Sequence, residues 1–194
     1  MSDVLIIYCH PYKKSFNHAV LDAIISNLDS HKVSWKLIDL YREKFIPTYD
    51  VEELRLFHQG ASHDPKSIEY LNDLKNANKV IFITPIWWNS IPGMLKGFID
   101  KVMKEGKGLS HTITKTGVKG ELGNIKQAYV LTTSTSPTFY LRLFSGNAIK
   151  KIFIHQTLHQ LGIKNCKWLN FGGISNSNLQ KRKKYLSKLD SIKF

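Results

Sequence analysis

A chain of 194 residues, 42% hydrophobic and 11% aromatic, can bury a sizeable core, and its composition excludes a disordered or low-complexity protein. No run of about 18 apolar residues occurs, so no membrane-spanning helix is expected. Lys and Arg number 28 against 15 Asp and Glu, a net charge of +13, which suits an anionic partner: nucleic acid, membrane phosphates or a phosphorylated small molecule.

The first segment, DVLIIYC (Asp3–Cys9), is a continuous apolar run of strand length and fits a buried parallel strand. Its apolar part is too short for a signal peptide and lacks a basic leader and a small-residue cleavage site. SFNHAVLDAIISNL follows with Ala19, Val20, Ala23, Ile24 and Leu28 at helical spacing, and with Ser15 or Asn17 as caps. KVSWKLIDL predicts a second strand. DVEELRLFHQG and DPKSIEYLNDLKNA predict helical pieces, the latter capped by Asp64 before Pro65. KVIFIT predicts a third strand and IPGMLKGFIDKVM a helix. The glycine-rich stretch from Gly106 to Asn124 reads as a long loop with room for a small hairpin. KQAYVLTT is a fourth strand, NAIKKIFIHQTLHQLG a helix ending at Gly162, KNCKWLNFGG a fifth strand and NSNLQKRKKYLSKLDSI the last helix. In that last helix Tyr185, Leu186 and Leu189 form an apolar stripe, which leaves QKRKK as a solvated basic face.

Strands alternating with helices imply an α/β fold, a doubly wound parallel sheet with helices on both faces. Five strands favour the flavodoxin-like order 2-1-3-4-5, in one domain covering residues 1–194. Ligands of such sheets bind at the carboxyl ends of the strands, where the order reverses between strands one and three. Three segments should meet there. HPYKKSFNHA offers hydroxyls, amides and a helix N-terminus, a ready anion site. PIWWNS offers planar aromatics. TTSTSPTFY offers small hydrogen-bonding groups. A phosphate at the first and a flat ring between the other two is what a flavin needs. No GxGxxG or Walker loop follows the first strand, GxSxG is absent, and no zinc-finger spacing or RNP sequence supports nucleic-acid binding. HQTLH (His155–His159) puts two histidines on one helix face, but Gln156 replaces the glutamate of the metalloprotease pattern and no third ligand is near in sequence, so no metal site is expected. The two cysteines, Cys9 and Cys166, lack CxxC spacing and suit a reduced, cytoplasmic protein.

In HPYKKSFNHA (His10–Ala19), PIWWNSIPGMLKGFIDKV (Pro85–Val102) and TTSTSPTFY (Thr132–Tyr140), taken in that order, the chain resembles the flavodoxin-like NAD(P)H:quinone oxidoreductases, the DT-diaphorase-like family with its small bacterial members. The resemblance implies that His10, Ser15, Phe16, Asn17 and Ala19 hold the flavin phosphate. It implies that Pro85, Ile86, Trp87, Trp88 and Asn89 lie along the isoalloxazine, and that Thr132, Thr133, Ser134 and Thr135 touch the same ring system. Tyr140 would stand beside the bound nicotinamide or quinone. It further implies FMN or, as the alternative, FAD, with NADH or NADPH as donor. A hydride would pass through flavin N5 to a quinone-like, azo or nitroaromatic acceptor by ping-pong exchange in a homodimer with sites at the interface. Two departures stand out: LRLFSGN after Tyr140 has no histidine, and the family's TTGGS is TTSTS here.

Each residue also has a plainer reading. Trp87 and Trp88 can be core or interface aromatics, Ser15 and Asn17 only caps, Thr132 and Thr133 only strand ends, Tyr140 a packing residue and His10 a turn histidine. Two other functions fit the same fold: a flavodoxin-type electron carrier or redox-partner subunit, and a regulator that binds nucleic acid through the basic last helix.

Overall fold

Val4–Tyr8 (β1) is buried at all five positions, because a parallel strand at the middle of a sheet has helices on both faces. The computed structural model describes residues 2–194, the side chain of His58 excepted. After β1 come α1 (Phe16–Ser30), β2 (Trp35–Asp39), α2 (Val51–Leu56) with a 3₁₀ turn at Phe57–Gln59, α3 (Pro65–Asn76), β3 (Lys79–Pro85) and α4 (Gly93–Val102). Then follow β4 (His111–Thr114), β5 (Gly117–Gly120), β6 (Gln127–Ser134), α5 (Thr138–Leu143), a π-helix at Ile149–Leu158, β7 (Cys166–Gly172), a 3₁₀ turn at Ile174–Asn176 and α6 (Leu179–Asp190).

The main sheet has the order β2-β1-β3-β6-β7, with every pair parallel. This is the expected five-stranded flavodoxin-like order, β6 and β7 being the fourth and fifth strands. The hairpin β4–β5 forms a separate two-stranded sheet, the small hairpin for which the Gly106–Asn124 stretch left room, and His111 adds a parallel bridge to Glu105. Side chains alternate between the two faces. Leu5 and Ile7 join the core under α3, α4 and the π-helix, while Val4, Ile6 and Tyr8 join the core under α1 and α6.

Two local expectations are corrected. The segment after β6 is not all loop, since Thr138–Leu143 closes into α5 behind Pro137, which carries Tyr140 on a helix. The helix before Gly162 is wound as a π-helix over Ile149–Leu158. Periods of 3.6 and of just over four residues bury much the same apolar positions in so short a segment, so the pattern could not separate them. The basic last helix is as expected: Leu189 is buried against α1, Tyr185 and Leu186 are half-buried, and Lys181, Lys183, Lys184 and Lys188 face solvent. The amide of Asn27 donates to the carbonyls of Leu189, Asp190 and Ile192, satisfying the end of α6 that has no intrahelical donors.

Two lysines at the end of α4 are buried against carboxylates. Lys101 Nζ reaches Asp64 Oδ2 at 3.1 Å and the Ile46 carbonyl at 2.8 Å. Lys104 Nζ reaches Glu53 Oε2 at 2.9 Å with both side chains almost fully enclosed. Burial alone would raise the Glu53 carboxyl. Hydrogen bonds from Ser62 and Lys104, the Lys104 charge and the Asp64 N–H outweigh it and hold the group at about 2. The pair pins α2 and the turn into α3 to the end of α4, where the hairpin begins. Removing one partner strands a charge in the interior. Glu53→Gln is therefore expected to lose about 3–5 kcal/mol of stability at pH 7 in urea unfolding, and Glu53→Gln with Lys104→Met to recover much of it. Because the folded value is depressed, this stabilisation is complete above the ordinary carboxyl range and fades as pH falls toward 2. Acid unfolding of Glu53→Gln should show a correspondingly smaller pH dependence between those limits.

Candidate functional site

The carboxyl ends of β1, β3 and β6 converge as the strand order requires. At the end of β1, the Cys9 N–H donates to the Ile83 carbonyl at 2.9 Å, and the chain turns through His10–Ser15 into α1. Ser15 is the cap. It is extended, and its Oγ accepts from the His18 N–H at 3.2 Å. Asn17 is not a cap: it lies in the first turn, buried, and its Nδ2 donates to Thr133 Oγ1 at 2.8 Å. Its Oδ1 is buried without a partner, as is His18 Nδ1. Ala19 is half-buried on the same turn. Phe16 turns the other way, against Phe171 at 4.8 Å and Tyr185 at 6.1 Å, and so anchors the start of α1 to β7 and α6. His10 Nδ1 accepts from the Tyr12 N–H at 3.1 Å, which leaves its other ring nitrogen to carry the proton. Burial lowers its pKa, and its ring meets Trp87 edge-on at 6.2 Å.

At the end of β3, Pro85 and Ile86 are buried, and the Ile86 N–H donates to the Thr133 carbonyl at 2.7 Å. Trp87 and Ser90 then exchange two backbone hydrogen bonds of 3.0 Å each around Trp88 and Asn89. Trp88 has φ 49° and Asn89 φ 61°, so both central residues of this turn are left-handed, as in a type I′ turn. Asn suits that region, whereas a bulky aromatic there is strained by about 1–3 kcal/mol. Trp88 is moreover 100% exposed, so no burial offsets the strain. Trp87 is 43% exposed, which removes the reading of these two residues as core aromatics of the chain.

At the end of β6, alternation splits the hydroxyls. Thr133 faces α1 and Asn17. Thr132 faces β7, donating to Asn170 Oδ1 at 2.8 Å and accepting from Trp168 Nε1 at 2.8 Å. Ser134 Oγ donates to the Ser136 carbonyl at 2.7 Å and accepts from Asn170 Nδ2 at 3.0 Å. Asn170 Nδ2 also donates to Thr138 Oγ1 at 2.9 Å. Asn170 thus ties the end of β6 to the start of α5. A Cβ on Gly172 would lie 2.5 Å from the Thr138 N, so only glycine lets α5 sit this close. Sequence reasoning passed over Asn170, although WLNFGG places it two residues from Trp168 on the same strand face.

Ile86, Trp88, Asn89, Ser134, Thr135, Ser136 and Leu141 line one cleft of ≈ 270 Å³. Of the expected ring contacts, Ile86, Trp88, Asn89, Ser134 and Thr135 come together here, while Thr132 and Thr133 lie beneath, engaged with other side chains. Tyr140, 46% exposed, stands beside Leu141 on α5 and stacks on Phe144 at 5.8 Å. A cavity of ≈ 400 Å³ between Tyr49, Phe57, Met103 and Leu161 lies away from these strand ends. Among the described residues no group of three His, Cys, Asp or Glu could hold a metal ion, and no helix is long and apolar enough to cross a membrane.

The residues fit a phosphorylated planar cofactor. A fifteen-residue helix capped by Ser15 starts at the same edge of the sheet, Asn17 Oδ1 in its first turn is an acceptor without a partner among the described residues and open to a hydroxyl donor, and the cleft walls are a strained aromatic turn and a run of hydroxyls.

Comparison with known proteins agrees with this fold. The flavodoxin-like fold family matches residues 2–192. An uncharacterized NAD(P)H oxidoreductase of Haemophilus influenzae is 27% identical over 173 residues, covering 88% of this chain and 83% of that protein. NAD(P)H dehydrogenase [quinone] 1 of Cavia porcellus is 27% identical over 70% of this chain, and the chain spans only 54% of that longer protein. Among solved structures, Smu.1420 from Streptococcus mutans is 30% identical with a TM-score of 0.82 over 96% of both chains. The NAD(P)H:quinone oxidoreductase from Methanothermobacter marburgensis, at 24% identity, has a TM-score of 0.86 over 97% of this chain and 95% of that one, which speaks for the fold. The chain belongs to the flavodoxin-like fold family, and the relatives it resembles include NAD(P)H oxidoreductases.

Proposed function

We propose that this chain, an NAD(P)H oxidoreductase by family, holds a flavin across the ends of β1, β3 and β6 and reduces a quinone-like, azo or nitroaromatic acceptor. The observation that carries this reading is the left-handed, fully exposed Trp88 on one wall of the cleft, opposite Ser134–Ser136. Unrelieved strain of this kind persists where function needs it. The 2.8 Å Asn17–Thr133 bond fixes two of the three walls relative to each other.

FMN fits with fewest demands, FAD being the alternative. An FMN-dependent NADH-azoreductase from Bacillus anthracis shares the fold at a TM-score of 0.79 and 18% identity. A bound flavin supplies hydride acceptance from NAD(P)H and electron return to an oxidised acceptor, the two halves of a ping-pong exchange. The protein's part is to bind and orient. The start of α1, with Ser15, directs N–H groups at a phosphate. Backbone N–H groups of Trp88 and Asn89, with the Thr133–Thr135 stretch, would bond the polar edge of a ring and stabilise charge there. The Tyr140 hydroxyl makes no hydrogen bond among the described residues and can give a proton to the acceptor, the role left open by the missing histidine.

The exposed side chains of Phe139, Leu143 and Phe144 make α5 an apolar face beside the cleft. A second copy of the chain covering this face would close both sites in a homodimer.

Purified protein reconstituted with FMN or FAD should show bound-flavin absorption that NADH or NADPH bleaches without oxygen and a quinone restores. Bound flavin that NAD(P)H cannot reduce would point to an electron carrier, and no tight flavin would end the reading. In the same experiment Tyr140→Phe should leave bleaching intact and slow restoration on the order of a hundredfold. Trp88→Gly should relieve the turn and raise stability by about 1 kcal/mol in thermal unfolding while weakening flavin binding. Leu143→Glu with Phe144→Glu should turn a dimer in sedimentation equilibrium into a folded monomer, and a wild-type monomer would refute the interface.

A further inference from the structure

Leu141, Asn147 and Trp168 divide the cleft from a second concave surface on the outer side of β7. That groove, of ≈ 410 Å³, is lined by Arg142 from α5, by Lys150 and His155 from the π-helix, by His159 at its C-terminal cap, and by Lys164 from the segment before β7. It adjoins a hollow that shares His155, His159 and Lys164 and adds Lys119 from the hairpin. No Asp or Glu lines either surface. Among the described residues only Lys119 has a carboxylate in range, Glu121 at 4.0 Å. Six cationic or protonatable groups from four segments therefore share one concavity with almost nothing to neutralise them.

Like charges gathered in this way repel, so they stay together only because the fold holds them. The Arg142 guanidinium lies over the Trp168 ring at 5.2 Å. Lys164 Nζ donates to the His159 carbonyl at 2.7 Å. The π-helical winding brings positions four apart almost above each other, and the His155 and His159 rings stack at 4.9 Å with 18° between their planes. Burial, together with the His155 and Lys164 charges, holds His159 below the usual histidine range. The basic face of α6 is a useful contrast: its lysines lie on a convex, solvated surface, where charge is screened and unfocused. A concave cationic surface without acids instead suits a multiply charged anion held by charge-assisted hydrogen bonds, and Arg with Lys is the usual donor set for phosphate.

We propose that this groove binds the phosphates of the adenine nucleotide half of the reductant and favours the 2′-phosphorylated form, NADPH, over NADH. The proposal rests on the flavin oxidoreductase reading for its choice of ligand. It is supported by the end of the groove at Arg142, Asn147 and Trp168, which meets the wall of the proposed flavin cleft, the groove running from there along β7 to Lys164. The added 2′-phosphate brings about 1.5–2 further negative charges, so a surface of unpaired cations discriminates between the two donors.

The test is calorimetric titration of the protein with adenosine 2′,5′-bisphosphate and with AMP, joined to steady-state kinetics with NADPH and NADH. Lys150→Gln with Lys164→Gln removes two exposed groove cations, and Lys183→Gln with Lys184→Gln removes the same charge from α6. The bisphosphate should bind about tenfold or more tighter than AMP. The groove pair should lose most of that binding and lower kcat/KM for NADPH about tenfold more than for NADH, whereas the α6 pair should change neither. Absence of bisphosphate binding, binding that survives in the groove pair, or equal loss in both pairs would overturn the proposal. Groove-dependent bisphosphate binding in a protein whose flavin NAD(P)H does not reduce would uphold the site and refute the reductase reading. Flavin reduction indifferent to the groove pair would do the reverse.

Discussion

All five strands of the main sheet run the same way, and this sets where everything else can lie. Parallel strands deliver all their carboxyl ends to one edge, and right-handed crossovers send consecutive helices to opposite faces about β1 and β3. The loops after those strands have no helix between them and must meet. One buried contact then fixes their spacing: Asn17, in the first turn of α1, bonds Thr133 near the end of β6 across the carboxyl edge of the intervening β3. An amide and a hydroxyl enclosed together are costly to separate, so the cleft is shaped before any ligand arrives.

Much of this was legible in the sequence because it follows from burial. Apolar runs such as VLIIY and KVIFIT can only be inner strands of a covered sheet, and Ser15 ahead of an apolar helical stripe can hardly be anything but a cap. The order of strand ends pointed to the two segments, PIWWNS and TTSTSPTFY, that supply the cleft lining apart from Leu141. What stayed hidden was set by tertiary contact or by short range. α5 has six residues and no side-chain cap, so TTSTSPTFY carries no local sign of it. The π-helix shows an ordinary helical pattern. The left-handed turn offers one suitable residue, Asn89, and one most unsuitable, Trp88, which no rule of turn composition would select. The expected order already put the strand of Asn170 beside β6, but its role rests on side-chain contacts with Thr132, Ser134 and Thr138 that no local pattern announces.

The excess of basic residues divides along the same lines. Part of it is solvated and convex on α6, where it gives solubility more than recognition. Two lysines are enclosed at the end of α4, matched by Glu53 and Asp64. A third group, Arg142, Lys150, Lys164 and Lys119, gathers about the groove beside β7, where among the described residues only Lys119 has a carboxylate in range. One count of charge thus covers three different physical situations, told apart by curvature and by whether a carboxylate is near.

The two cysteines bear on chemical durability. Burial pushes the Cys9 thiol up to about 12, and Cys166, against the basic groove, up to about 11. The thiolate is the form that attacks soft electrophiles, and at neutral pH neither side chain supplies it. A catalyst proposed to turn over quinones works amid compounds that arylate exposed sulfur. Keeping its only two sulfhydryls protonated would leave such a protein resistant to covalent self-poisoning by the molecules it handles.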